Sequence, residues 1–161
     1  MGSEMCIRDR TSGSKWNDNF PFICLDNDPY IEEISVDNIS KNADVALLCL
    51  PNGLSSTLTR KLLDKGLKVI DLSADYRYKS LDEWKKVYSK EAAIYKRNDD
   101  DLCKEAVYGL PEINKEAISK GRLIACPGCY PTSALIPLVP YLSQGIIENE
   151  GIVIDSKSGT S

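Results

Sequence analysis

The sequence has 161 residues, of which 42% are hydrophobic, enough for one packed domain or parts of two. The formal net charge is −4 with no basic stretch, so nucleic acid is excluded as an expected partner. No apolar run approaches a membrane span and no apolar signal core opens the chain, so a membrane role is not expected and cytoplasm is the expected compartment.

In chain order, residues 1–19 have no hydrophobic periodicity and are expected to be disordered or foreign to the fold. Phe20 to Leu25 is a short apolar patch of undefined type, and Pro29 to Asn42 holds a short strand or helical turn at most. The clear pattern starts at Asp44. Val45 to Leu50 is a continuous apolar run, which predicts a strand covered on both faces. Pro51-Asn52-Gly53 is a turn. Ser55 or Ser56 caps a predicted helix through Lys65 with Leu58, Leu62 and Leu63 inward, and Gly66 ends it. Lys68 to Leu72 is a second strand, so the unit is βαβ and the sheet is predicted to be parallel with a right-handed crossover.

Further on, Leu81 to Tyr88 predicts a short helix with Trp84 and Val87 inward, and Lys96 to Asp101 a charged loop. Val107 to Glu112 is a rigid extended segment. Asn114 caps a short helix to Lys120, Gly121 ends it, and Arg122 to Ala125 is a buried strand. A helix follows Cys129, with a kink or break predicted near Ile136 because Pro137 and Pro140 each remove a hydrogen bond. Gly151 to Asp155 reads as a final strand before a polar loop from Ser156 to Ser161.

The chemistry concentrates at Cys126-Pro127-Gly128-Cys129-Tyr130-Pro131-Thr132. Cys129 falls where a strand ends and a helix begins. Free amides at a helix N-terminus favour a thiolate and can hold an oxyanion, so a nucleophilic role competes with that of a buried packing cysteine. Ligands of parallel sheets bind outside the carboxyl ends of strands, and Pro51, Asn52, Gly53 and the run Ser73 to Arg77 belong to that edge. Each also has a plain structural reading: Asn52 and Gly53 as turn residues, Asp75 and Arg77 as a surface ion pair. The six cysteines are irregularly spaced and are expected to be reduced thiols. With no histidine and one Cys-x-x-Cys pair, no metal site is expected.

From about Asp44 onward the chain resembles the N-acetyl-gamma-glutamyl-phosphate reductases of arginine biosynthesis. The resemblance is carried in order by Leu50-Pro51-Asn52-Gly53, Asp71 to Arg77, Val107 to Glu112, Pro127 to Thr132 and Lys157-Ser158-Gly159. It implies an α/β fold: a partial Rossmann-like parallel sheet (residues 20–128), then the start of a second α/β domain for catalysis and dimerisation (residues 129–161). It also implies NADP as cofactor, an acyl-phosphate substrate and a homo-oligomer. Cys129 would be the catalytic nucleophile that forms a thioacyl enzyme. Pro51, Asn52, Gly53 and Ser73 would contact the cofactor, and Arg77, Ser158 and Gly159 the substrate. The family's glycine-rich pyrophosphate loop has no counterpart among the ten glycines, and its acid/base histidine would lie beyond Ser161. Where relatives often carry histidine after Leu-Pro, this chain has Asn52. The expectation is a fragment, inactive on its own.

Two other readings stand beside it. Strand, Cys-Pro-Gly-Cys, helix is also the layout of a thioredoxin-like dithiol site, with Cys126 attacking and Cys129 resolving. A non-catalytic Rossmann-like binding module would leave every cysteine a packing residue.

Overall fold

The computed structural model describes residues 11–23 and 25–157. The chain divides into two compact units, residues 1–43 and 44–161. In the first, α1 (Trp16–Asn19) is a single turn, and an isolated antiparallel bridge joins Lys15 to Tyr30. Residues 11–19, expected to lack structure, therefore carry some. The Trp16 and Phe20 rings lie 4.6 Å apart. α2 (Val36–Asn42) is the short element expected before Asp44, and the Ser35 hydroxyl caps it by accepting from the Asn38 amide.

The second unit is built on a parallel sheet of β1 (Val45–Leu48), β2 (Lys68–Asp71), β3 (Val107–Tyr108) and β4 (Leu123–Ala125), in the order β1-β2-β4-β3. Leu48, Asp71 and Ala125 share a register level, as do Leu47, Ile70 and Ile124. β4 is flanked on both sides and all its residues are buried, as a continuous apolar run requires. β1 departs from the expectation of two covered faces. Ala46 and Leu48 are buried while Val45 and Leu47 are exposed, because β1 is an edge strand with one face packed.

α3 (Ser56–Asp64) joins β1 to β2 and packs Leu62 and Leu63 inward. It ends as Gly66 predicts. Gly66 takes φ +87, its amide donates to the Leu63 carbonyl, and the Leu67 amide donates to the Leu62 carbonyl. This is a Schellman closure, and it needs a residue without Cβ penalty in the left-handed region.

Between β2 and β3 run α4 (Leu81–Val87), α5 (Ser89–Ile94) and α6 (Asp100–Glu105). Trp84 is fully buried, but Val87, expected inward, is exposed, because the helix ends on it and only its Leu81 and Trp84 face packs. The expected charged loop holds from Lys96 to Asp99, while Asp100 and Asp101 open α6, and the loop is not a solvated one, since Arg97 and Asp99 are buried. α7 (Pro111–Lys120) starts on Pro111, and Asn114, expected as its cap, instead sits at an internal kink with its side-chain amide on the Tyr108 carbonyl. Lys68 and Lys79 close helix ends from a distance. Lys68 donates to the carbonyls of Ile118 and Ser119 in α7, and Lys79 to those of Lys104 and Ala106 at α6.

α8 (Cys129–Ser143) contradicts the predicted break. It runs through Pro137 and Pro140 without interruption. None of its residues is buried, so water can reach the carbonyls that the prolines leave unpaired. The expected strand at Gly151 to Asp155 is also absent. Ile152 to Lys157 has no regular structure, and Val153 is 91% exposed. A strand needs a ladder, and among the described residues none pairs with this segment. No described helix is long and apolar enough to cross a membrane.

Candidate active site

Three segments leave the carboxyl edge of the sheet side by side: residues 49–55 after β1, 72–77 after β2 and 126–128 after β4. The backbone ladder continues one step past the strands, with the Leu72 amide on the Leu48 carbonyl and the Cys126 amide on the Asp71 carbonyl at 2.8 Å.

The first two segments are tied by side chains. Asn52 Oδ1 accepts from the Ala74 amide at 2.9 Å. Asp75 reaches back across 22 residues, accepting from the Gly53 amide through Oδ1 and from the Ser56 amide through Oδ2. Its carboxyl therefore caps α3, a task that sequence assigns to Ser55 or Ser56. Ser55 holds the cap position without a side-chain cap bond, so that expectation is corrected. Gly53 has two reasons to be glycine. Its φ is +89, and a Cβ there would lie 2.2 Å from Cδ2 of Tyr95.

The β2 loop is closed on itself. The Ser73 hydroxyl donates to Asp71 Oδ2 at 2.7 Å and accepts from the Asp75 amide, while the Ser73 amide donates to Asp71 Oδ1. Burial raises the Asp71 carboxyl above its ordinary range, partly offset by the Ser73 hydrogen bonds.

Arg77 joins this loop to the cysteine segment. Its Nε donates to the Cys126 carbonyl at 2.8 Å and its Nη2 to the Leu72 carbonyl at 3.0 Å. A Cβ on Gly128 would stand 3.3 Å from Arg77 Nη1, so the guanidinium lies against the residue preceding Cys129. Cys129 is the first residue of α8, is exposed, and follows Gly128 in the cap position. Cys126 is half-buried, and burial, with Asp71 adding to it, raises its thiol.

Beneath the edge lies a buried polar cluster. Arg97 donates through Nε and Nη2 to the two carboxyl oxygens of Asp99, each at 3.0 Å, and through Nη1 to the Asp75 backbone carbonyl at 2.7 Å. Its Nη1 also stands 3.8 Å from Asp75 Oδ1. The guanidinium carbon lies 4.4 Å from the Trp84 ring centre and 5.0 Å from that of Tyr76. Tyr76 donates its hydroxyl to Asp99 Oδ2 at 2.7 Å, and Cys103 Sγ lies 3.6 Å from Nη2. Burial pushes the Asp75 carboxyl up to about 6, against the Gly53 hydrogen bond and the Arg97 charge, which both pull it down. Burial also pushes the Cys103 thiol up to about 11 and raises the Tyr76 phenol. The expected surface pair of Asp75 with Arg77 does not form. Asp75 is fully buried and its cationic neighbour is Arg97.

The profile of the semialdehyde dehydrogenase NAD binding domain matches residues 3–121, and that of the semialdehyde dehydrogenase dimerisation domain matches residues 129–161. The chain belongs to the semialdehyde dehydrogenase family. Among its relatives, a Prochlorococcus marinus (strain MIT 9301) protein named N-acetyl-gamma-glutamyl-phosphate reductase is 97% identical over 152 residues, covering 94% of this chain and 43% of that protein. A protein of the same name from P. marinus strain MIT 9515 is 78% identical over 152 residues, covering 94% of this chain and 43% of that protein. Another, from strain NATL2A, is 60% identical over 153 residues, covering 95% of this chain and 43% of that protein. The chain thus spans less than half the length of these relatives.

Membership in this family supports a nicotinamide dinucleotide as the cofactor class. The start of α3, the helix that follows β1, does not offer a cradle for its pyrophosphate. Such a cradle uses free amides at a helix start, whereas Asp75 already occupies the Gly53 and Ser56 amides at the start of α3. Asn52 Oδ1 and the Ser73 hydroxyl are likewise committed within the protein.

Of the residues singled out from sequence, the structure ties Asn52, Gly53 and Ser73 into one edge and links that edge through Arg77 to the segment carrying Cys129. Ser158 and Gly159 lie outside the described residues. Sequence reasoning missed Arg97, Asp99 and Tyr76. The only available signal was an arginine beside a run of aspartates downstream of Trp84 and Tyr88, which reads equally well as a solvated loop.

Proposed function

We propose that the protein to which these residues belong reduces N-acetyl-glutamyl 5-phosphate to N-acetyl-glutamate 5-semialdehyde in arginine biosynthesis, with NADP as the cofactor and Cys129 as the nucleophile. The observation that carries the reading is the placement of Cys129, exposed on the first residue of α8 at the sheet's carboxyl edge. In the first turn Pro131 has no N–H and the Thr132 amide donates to the Gly128 carbonyl, which leaves the Cys129 and Tyr130 amides without an intrahelical acceptor and available to an oxyanion formed on the acyl carbon beside the sulfur. The Cys129 sulfur attacks the acyl-phosphate carbonyl carbon, the bond to the phosphate oxygen breaks, and phosphate leaves with the electron pair, giving a thioester. A nicotinamide cofactor, when bound, supplies the hydride that reduces this thioester to the aldehyde and frees the sulfur.

Arg77 positions the cysteine loop through Cys126 and Leu72, and its charge favours an acyl phosphate nearby. Pro51, Asn52, Gly53 and Ser73 form the wall facing the cofactor, and Ser158 and Gly159 belong with the substrate contacts. We assign residues 20–128 to the cofactor domain and 129–161 to the catalytic domain, with dimerisation through the latter and a cytoplasmic location.

The 161-residue chain alone is expected not to oxidise NADPH with this substrate. The start of α3 is closed by Asp75 and the sequence has no histidine, and general acid/base help alone accounts for about 10²–10⁴ in rate. The assignment of the sulfur is tested in the longer protein. Cys129→Ser abolishes turnover and Cys126→Ser retains it. A loss with Cys126→Ser equal to that with Cys129→Ser favours the dithiol reading instead.

A further inference from the structure

The polar edge of the site rests on the buried cluster below it, and that cluster has one cation for two carboxyl groups. Every nitrogen of the Arg97 guanidinium is engaged: Nε and Nη2 on Asp99, Nη2 also near Cys103, and Nη1 on the Asp75 backbone. Trp84 and Tyr76 hold the guanidinium plane through their rings. These contacts come from α4, from the loop after β2 and from the start of α6, so Arg97 is where three separate segments are fixed to one another. Asp75 is the only member that also reaches the site. Its backbone carbonyl is held by Arg97, and its carboxyl is aimed at Gly53 and Ser56.

From this geometry we infer that Arg97, oriented by Asp99 and Tyr76, is a positioning residue for the site: it fixes the Asp75 backbone so that the Asp75 carboxyl clamps the Pro51–Gly53 turn and the start of α3 to the loop carrying Ser73 and Arg77. The inference deepens the reading of this edge as a cofactor and substrate wall and rests on it for its functional meaning, but the clamp itself can be measured without turnover. A neutral residue at 97 would leave the Asp75 backbone carbonyl and two buried carboxyl groups without their cation. The clamp would then loosen locally, at Gly53 and Ser56, rather than uniformly.

The groups that set the Asp75 charge are few. Arg97 favours its ionised form and Asp71 opposes it, while the Gly53 and Ser56 amides bond to the ionised carboxyl. Nuclear magnetic resonance on the 161-residue chain therefore reads the clamp directly. In the unaltered chain, the Gly53 and Ser56 amide protons and the Asp75 carboxyl carbon should titrate together, with one shared midpoint. In Arg97→Gln, that midpoint should rise, and hydrogen exchange at Gly53 and Ser56 should quicken by roughly tenfold to a hundredfold, the loss of a charge-assisted hydrogen bond. Amides in the centre of β4 should quicken less. Arg97→Lys should recover part of the midpoint shift while failing to restore the fork to Asp99. If Arg97→Gln does not fold, Arg97→Lys decides instead: faster exchange at Gly53 and Ser56 relative to β4 supports the inference, and unchanged exchange there overturns it. Gly53 and Ser56 amides that do not follow the Asp75 carboxyl overturn the inference, as does an Arg97→Gln chain whose Gly53 and Ser56 exchange no faster relative to β4. A clamp that behaves as expected in a protein lacking reductase activity would leave the positioning intact and overturn only the proposed function.

Discussion

The segments after β2 and after β4 both leave buried strands at the same edge, yet they are secured in opposite ways. From Asp71 to Arg77 nearly every polar group finds a partner within the chain, and Asp71, Ser73, Asp75 and Tyr76 are all buried. From Gly128 to Lys157 nothing is buried, although Ile136, Tyr141, Ile152, Val153 and Ile154 are large and apolar. The first segment is a finished polar structure that dictates where its side chains point. The second is a helix and a coil secured to the sheet through Arg77 and the β4 ladder. Cys129 sits at the boundary, with its backbone anchored on one side and its sulfur open on the other.

The largest way to break the contrast is Arg97→Gln. Removing one partner from a buried ionic cluster costs about 3–5 kcal/mol, and urea unfolding should show a loss of that order. A pH series sharpens it. The folded Asp75 binds its proton up to about pH 6 against an ordinary value of 3.8, so the folded chain holds more protons than the unfolded one in between. Stability contributed by this group therefore falls as pH rises from about 4 to about 6, by about 3 kcal/mol at most. Asp75→Asn should flatten that slope, and Asp71, also raised, keeps whatever slope remains. Gly53→Ala comes next. It puts a Cβ into the Tyr95 ring at a left-handed backbone position, and should cost about 2–3 kcal/mol in the same unfolding assay. Tyr95→Ala in that background should recover the steric share only. At the small end, Val153→Ser in the exposed coil should change stability by less than about 0.5 kcal/mol.

The same contrast explains what the sequence disclosed. The parallel order of β1, β2 and β4 was legible because apolar runs, a helix-ending glycine and spacing of βαβ type are local signals. The position of Cys129 at a helix start followed from Gly128 and the apolar run before it. Arg97 and Asp99 were not legible, since charged residues are expected in water until a distant tryptophan and tyrosine enclose them. The Asp75 cap was hidden for a similar reason: the acceptor lies 19 residues after the amide of Ser56 that it satisfies. Ile152 to Ile154 failed in the other direction. β-propensity describes fit to a pleated, half-buried surface, and without a paired strand the residues form no strand and stay exposed. Pro137 and Pro140 misled because a proline's cost falls where water can reach the carbonyl it frees.

The central claim is that the Cys129 sulfur accepts the acyl group. Cys49 provides an internal control, because it is exposed as Cys129 is and leaves the same carboxyl edge of the sheet after the edge strand β1. The longer protein is mixed with N-acetyl-glutamyl phosphate, quenched in acid without NADPH, and its peptides are mapped by mass spectrometry. The account predicts the acyl mass on Cys129, released by hydroxylamine, with Cys49, Cys103 and Cys126 unmodified. Acyl label on Cys126, or equal label on Cys49 and Cys129, would contradict it.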